Sequence, residues 1–133
     1  MEKKIKNGKK ILIIDDNRHL ISTIGEYLEN KGFEVVTAFD GVDIFKLIES
    51  ETYDLVITDI DMPVVSGVGV ILAHKEKKPE IPIIAMSGYG QAALEAAREK
   101  GADVIIDKPF KFSVLTHHID ELITSHTTNE CLK

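Results

Sequence analysis

The 133-residue chain is 44% hydrophobic and 29% charged, the composition of one globular domain with enough bulk for a core. Its net charge of -6 and pI of about 5.3 argue against a nucleic-acid-binding surface. One cysteine, Cys131, leaves no disulfide framework and fits a reducing cytosol, and no apolar run approaches the ~20 residues of a membrane span.

The N-terminal segment, residues 1–9, is basic; Lys3, Lys4, Lys6, Lys9 and the adjoining Lys10 read as a solvated arm. Its apolar run is too short for a signal peptide. Ile11-Leu12-Ile13-Ile14 is a continuous apolar run cut off by Asp15-Asp16-Asn17, the pattern of a buried strand feeding an acidic loop. Leu20, Ile21, Ile24 and Leu28 recur at helical spacing, and Gly32 follows as a C′ residue. Phe33 to Ala38 is the second strand. Asp40 suits a helix cap, and Ile44, Phe45, Leu47 and Ile48 supply the next buried stripe.

The third strand, Leu55-Val56-Ile57, is rich in β-branched residues and ends at Asp59, with Pro63 preventing its continuation. Val68 to Lys78 carries a weak helical stripe of Val68, Ile71 and Leu72. Ile81 to Met86 forms a fourth strand, with Pro82 tolerable near its start, and runs into Ser87-Gly88-Tyr89-Gly90. Gln91 to Lys100 is alanine-rich and helical, stopped by Gly101. Asp103 to Ile106 is a fifth strand, ending at Asp107-Lys108-Pro109-Phe110. A last helix from about Ser113 turns Leu115, Ile119 and Leu122 inward and frays after Ser125, leaving a tail, 126–133. Neither a repeat nor a linker interrupts residues 10–125.

Five alternations of strand and helix predict an α/β domain with a parallel sheet covered on both faces. Right-handed crossovers favour a doubly wound, flavodoxin-like five-stranded sheet of order 2-1-3-4-5. Ligands of such sheets bind at the carboxyl ends of the strands. There the order gathers Asp15, Asp16 and Asp59, with the Ser87 hydroxyl from strand four and Lys108 from strand five. Two carboxylates ~4 Å apart repel by about 4 kcal/mol at an effective dielectric of ~20. A hard divalent cation such as Mg²⁺ reverses that repulsion. Aspartate can attack phosphorus, and phosphoryl transfer then needs mainly positioning and charge neutralisation. Taken singly, Asp15-Asp16 is a helix cap, Ser87-Gly88 a turn and Lys108-Pro109 a loop; their joint occurrence at successive strand ends is what carries the reading.

Those motifs, Ile14-Asp15-Asp16, Asp59-Ile60-Asp61-Met62-Pro63 with Gly67 eight residues after the aspartate, Met86-Ser87-Gly88 and Lys108-Pro109-Phe110, resemble a response-regulator receiver domain of two-component signalling, built like the stand-alone chemotaxis regulator. The match runs from about Lys10 to Ser125. The resemblance implies that Asp59 accepts a phosphoryl group from a histidine kinase or histidine phosphotransfer protein. It implies that Asp16, Asp59 and the main-chain carbonyl of Asp61 bind Mg²⁺, with Asp15 helping through water. Ser87 would contact the phosphoryl group and move on activation, and Lys108 would pair with it. It implies a cytoplasmic regulator rather than an enzyme, with no membrane insertion or direct nucleic-acid contact. The readout is then a downstream effector protein, since the chain carries no output domain of its own. One position departs: Ile105 stands where the family usually has Tyr or Phe. That leaves the loop Ser87 to Gly90, with Tyr89, and the helix after it as the expected moving parts.

A haloacid-dehalogenase-like phosphatase is the main rival, matched by Asp59-Ile60-Asp61, Ser87-Gly88 and Lys108. It needs an acidic pair after the lysine, where this chain has only Asp120 and Glu121 inside the last helix. An FMN carrier of the same fold needs a phosphate loop after strand one, where Asp15-Asp16 would repel phosphate. A purely structural interaction module leaves the constellation at the strand ends unexplained.

Overall fold

The computed structural model describes residues 8–39, 41–62 and 67–132. In order these form β1 (Lys10–Ile14), α1 (Arg18–Asn30), β2 (Glu34–Ala38), α2 (Gly41–Ser50), β3 (Leu55–Asp59), α3 (Gly67–Lys77), β4 (Ile83–Ser87), α4 (Gln91–Lys100), β5 (Val104–Asp107) and α5 (Phe112–Leu132). The sheet is parallel throughout, in the order β2-β1-β3-β4-β5. This is the expected doubly wound α/β arrangement.

Alternation along the strands divides the core in two. Leu12, Ile14, Val56, Ile83 and Ala85 face α2, α3 and α4, where they meet Ile44, Ile48, Val70, Ile71 and Ala97. Ile11, Ile13, Leu55, Ile57, Ile84 and Met86 point the other way, against Ile21, Ile24 and Leu28 of α1 and Leu115 and Ile119 of α5. Both faces are covered, which is why β1, β3 and β4 read as continuous apolar runs instead of alternating ones.

Several expectations shift. Strands β2, β4 and β5 begin one or two residues later than the apolar runs suggest; Pro82, lacking an N–H, precedes β4. Phe45 and Leu72 are exposed; among the described side chains the buried positions of α2 are Ile44 and Ile48, and those of α3 are Gly67, Val70, Ile71 and His74. Lys10 is no part of a solvated arm: it opens β1, its ammonium lies 2.6 Å from Glu51, and its N–H donates to Asp54 at 2.7 Å. Helix α5 continues past Ser125 to Leu132, there being no Gly or Pro in that stretch to stop it. Lys3, Lys4, Lys6, Asp40 and Pro63 lie outside the described residues. Gly32 does follow α1 with φ +103°, the conformation a C′ glycine supplies.

Candidate functional site

Neighbouring strands fix the acidic cluster. Ile14 is in register with Thr58, so the next residues, Asp15 and Asp59, leave β1 and β3 side by side at the carboxyl edge. One oxygen from each of Asp15, Asp16 and Asp59 lies within 4.8 Å of the other two. Asp15 and Asp59 are only 1% and 2% exposed, whereas Asp16 is open to solvent. Neither member of the acidic pair caps α1. That role belongs to Asn17, whose side chain accepts the Leu20 N–H at 3.1 Å, while Asp15 Oδ1 accepts the Asn17 N–H at 2.9 Å.

Lys108 enters from the end of β5. Its N–H donates to the Ser87 carbonyl at 2.8 Å, extending the ladder between β4 and β5, and the following bond to Pro109 is cis. Its ammonium lies 3.0 Å from Asp15 Oδ2 and 2.8 Å from Asp59 Oδ1. The contact to Asp15 is a hydrogen bond, and the one to Asp59 is the shorter ion pair. Asp59 is therefore buried, with the Lys108 ammonium as its near partner.

Burial raises the pKa of Asp59 above the ordinary carboxylate value; Lys108 opposes this, and Asp15 and Asp61 add to it. Burial alone would lower Lys108, but the carboxylates of Asp59 and Asp15 outweigh it and raise the ammonium above its usual value. The Asp59 shift is thus mainly one of burial, and the Lys108 shift is one of its two carboxylate partners. Three clustered carboxylates facing one lysine are a donor set that fits a hard, oxygen-seeking cation such as Mg²⁺.

Ser87 and Gly88 reach the same mouth, bonded to Asp61. The Ser87 hydroxyl donates to Asp61 Oδ1 at 2.9 Å, and the Gly88 N–H donates to Asp61 Oδ2 at 2.8 Å. Ser87 Oγ also accepts the Tyr89 N–H at 3.0 Å. A β-carbon on Gly88 would meet only Lys108 Cβ, at 3.8 Å, so the protein itself leaves this position open. The Asp61 carboxylate is the group that sequence reasoning missed. The signal was present, an acidic residue two positions past a strand end and opposite two donors, but a strand pattern does not tell which way a loop side chain turns. Tyr89 stands 81% exposed, and Ile105 is half-buried against the core on the α2–α4 side. Asp120 and Glu121 do not join the carboxylate cluster; Glu121 lies 3.5 Å from His117 and 3.8 Å from His118 on its own helix. Beside Lys108 opens an apolar groove of about 390 Å³, lined by Leu20, Pro109, Phe110 and Phe112.

Residues 11–120 match the response regulator receiver domain family. The chain is 30% identical over 115 residues to the transcriptional regulatory protein PrrA of Mycobacterium tuberculosis, covering 86% of this chain and 49% of that one. It thus spans about half the length of the curated regulators it matches first. Among solved structures, a CheY-like response regulator receiver domain protein from Methanospirillum hungatei superposes with a TM-score of 0.86 at 27% identity, covering 91% of this chain and 98% of that one. The response regulator TrrA of Thermotoga maritima, solved in complex with Mg²⁺ and BeF, superposes with a TM-score of 0.78 at 33% identity, covering 86% and 98%.

Proposed function

The chain belongs to the response regulator receiver domain family of two-component systems, and from that premise we propose that residues 10–125 form a phosphorylation-controlled protein switch or relay carrier with Asp59 as its phosphoacceptor. The observation that carries this reading is Asp59, buried at the end of the central strand beside Asp15 and Asp16 with Oδ1 2.8 Å from the Lys108 ammonium. A carboxylate so placed is a nucleophile with the charge partner for the incoming group already beside it.

The donor is a phosphohistidine on a kinase or phosphotransfer protein. Asp59 forms an O–P bond as the P–N bond breaks, and the electron pair of that bond stays on the imidazole nitrogen. Lys108, at 2.8 Å from Asp59 Oδ1, balances charge on the transferred group. The Ser87 hydroxyl and Gly88 amide, on the neighbouring strand end, are donors for its oxygens. Mg²⁺ would be held by Asp16, Asp59 and the Asp61 carbonyl, with Asp15 acting through water, and supplies further neutralisation of the phosphoryl oxygens. The groove beside Lys108 offers apolar surface for the donor protein. The signal is then read by an effector protein surface.

Acetyl phosphate with Mg²⁺ should add one phosphoryl group by intact mass, and Asp59→Asn should abolish it. Stoichiometric labelling of that variant would overturn the assignment, and steady turnover of aryl phosphates would favour a phosphatase. Phosphotransfer against a panel of histidine kinases then identifies the donor.

A further inference from the structure

The geometry points to a second role at this mouth: the Asp61 carboxylate is an internal stand-in for the phosphoryl group, occupying the Ser87 hydroxyl and the Gly88 amide until a phosphoryl group on Asp59 displaces it. This rests on Asp59 being the phosphoacceptor.

The path of the chain sets up the competition. The Ile60 N–H still donates to the Met86 carbonyl at 3.0 Å, so the chain leaving β3 stays against β4 for one more residue. Asp61 then lies across the end of β4, and its two oxygens take donors from two successive residues, at 2.9 and 2.8 Å. A carboxylate gripped in this way presents two negative oxygens to a hydroxyl and an amide, as a phosphoryl group would. Ser87 Oγ has one proton and the Gly88 amide has one, so neither serves a second anion while Asp61 holds it. Hydrogen bonds to an ionised acceptor are the strong kind, and an incoming phosphoryl group also meets the repulsion of the Asp61 charge.

Two consequences distinguish this from a simple loop clasp. Asp61 slows loading of the site, because its bonds must break first. Ser87 and Gly88 also already face a pair of anionic oxygens, so on this proposal loading moves residues 60–62 more than residues 87–89. The sequence reading puts the motion in the Ser87 to Gly90 loop instead, so the two readings separate by experiment.

The test uses the full chain with Mg²⁺ and beryllofluoride, a phosphoryl mimic, and compares wild type, Asp61→Ala and Asp61→Asn. The alanine variant should bind beryllofluoride about tenfold more tightly. It should also be phosphorylated by acetyl phosphate faster by a similar factor, as the acetyl O–P bond breaks and acetate leaves. The asparagine variant, which keeps one acceptor oxygen without the charge, should fall between. By NMR, loading should barely shift the Gly88 amide of wild type and shift it strongly in Asp61→Ala. If Asp61→Ala loads no better than wild type, or if the Gly88 amide moves as far in both, the carboxylate is only a clasp and the proposal fails. A wild type that never loads overturns the phosphoacceptor reading and this inference with it. A wild type that loads, while Asp59→Asn does not, leaves the first reading standing whatever Asp61 does.

Discussion

Gly67 packs so tightly on Ile60 that a β-carbon added to it would stand 2.2 Å from Ile60 Cα and 2.5 Å from the Asp59 carbonyl oxygen. The start of α3 is thereby pressed against the chain leaving β3, next to the residues that form the mouth. Both obstructing atoms are backbone, so no side-chain rotation relieves the clash. Gly67→Ala should cost about 2–3 kcal/mol, read as a lower urea midpoint at unchanged slope. Gly88→Ala is the control. Its added carbon meets only Lys108 Cβ at 3.8 Å, and it should stay within ~0.5 kcal/mol of wild type.

Asp15 and Asp16 should respond differently to neutralisation. Repulsion alone would make either Asp→Asn change stabilising in the absence of metal. Asp15, however, is 1% exposed and accepts a hydrogen bond from the Lys108 ammonium at 3.0 Å, whereas Asp16 is open to solvent. Asp16→Asn should raise metal-free stability by a few tenths to ~1 kcal/mol. Asp15→Asn should lower it by about 1 kcal/mol, because a buried charged partner of the lysine is lost. Added Mg²⁺ should raise the melting temperature of wild type by mass action and do so less in both variants. Equal melting of the two variants in EDTA would remove the structural role assigned to the Asp15–Lys108 pair.

The topology was legible because each core strand is a short apolar run closed by a polar residue, and the order of the sheet then gathers those closing residues at one edge. Asp15, Asp16, Asp59, Ser87 and Lys108 all reach that edge as the strand ends imply. The orientation of single side chains was not legible. Val68, Ile71 and Leu72 look like the stripe of α3, yet Leu72 is exposed and His74 is buried, because α3 packs against α2 and α4 as well as the sheet. Composition places a histidine outside the core by default, and only the packing reverses that. The Asp61 carboxylate was hidden for a similar reason: its direction depends on donors that β4 supplies.

Tyr89 should be dispensable for stability. It is 81% exposed, and its bond to Ser87 Oγ is made by its backbone N–H, which any non-proline residue provides. Tyr89→Ala should therefore melt within ~0.5 kcal/mol of wild type and accept phosphate at a similar rate. Its large exposed ring beside the mouth is better placed for a protein partner, so the loss should fall on effector or kinase affinity, measured by titration calorimetry. A slowed phosphorylation with normal stability would instead place the ring in the chemistry of the site.

Acid should weaken the fold through His74. This side chain has no exposed surface, neither ring nitrogen has a hydrogen-bond partner among the described residues, and burial pushes its pKa from 6.5 down to about 4, with Lys75 and Lys78 adding to the effect and Glu80 opposing it. The folded state thus keeps the imidazole neutral while the unfolded chain takes up a proton below about pH 6.5. The stability associated with His74 is complete above that pH and is lost as pH falls from about 6.5 to about 4, to a total on the order of 3 kcal/mol. Asp59 acts with the opposite sign: its raised pKa lets the folded state bind a proton first, which relieves the crowded mouth as pH falls. Comparing wild type with His74→Leu cancels the Asp59 contribution. The leucine variant should be at least as stable as wild type at pH 7, since it removes two unsatisfied buried nitrogens. It should also lose less stability than wild type between pH 6.5 and 4.5 in urea titrations. Parallel pH curves for the two proteins, or a His74 ring resonance that titrates near 6.5, would show that the imidazole is solvated or partnered in solution.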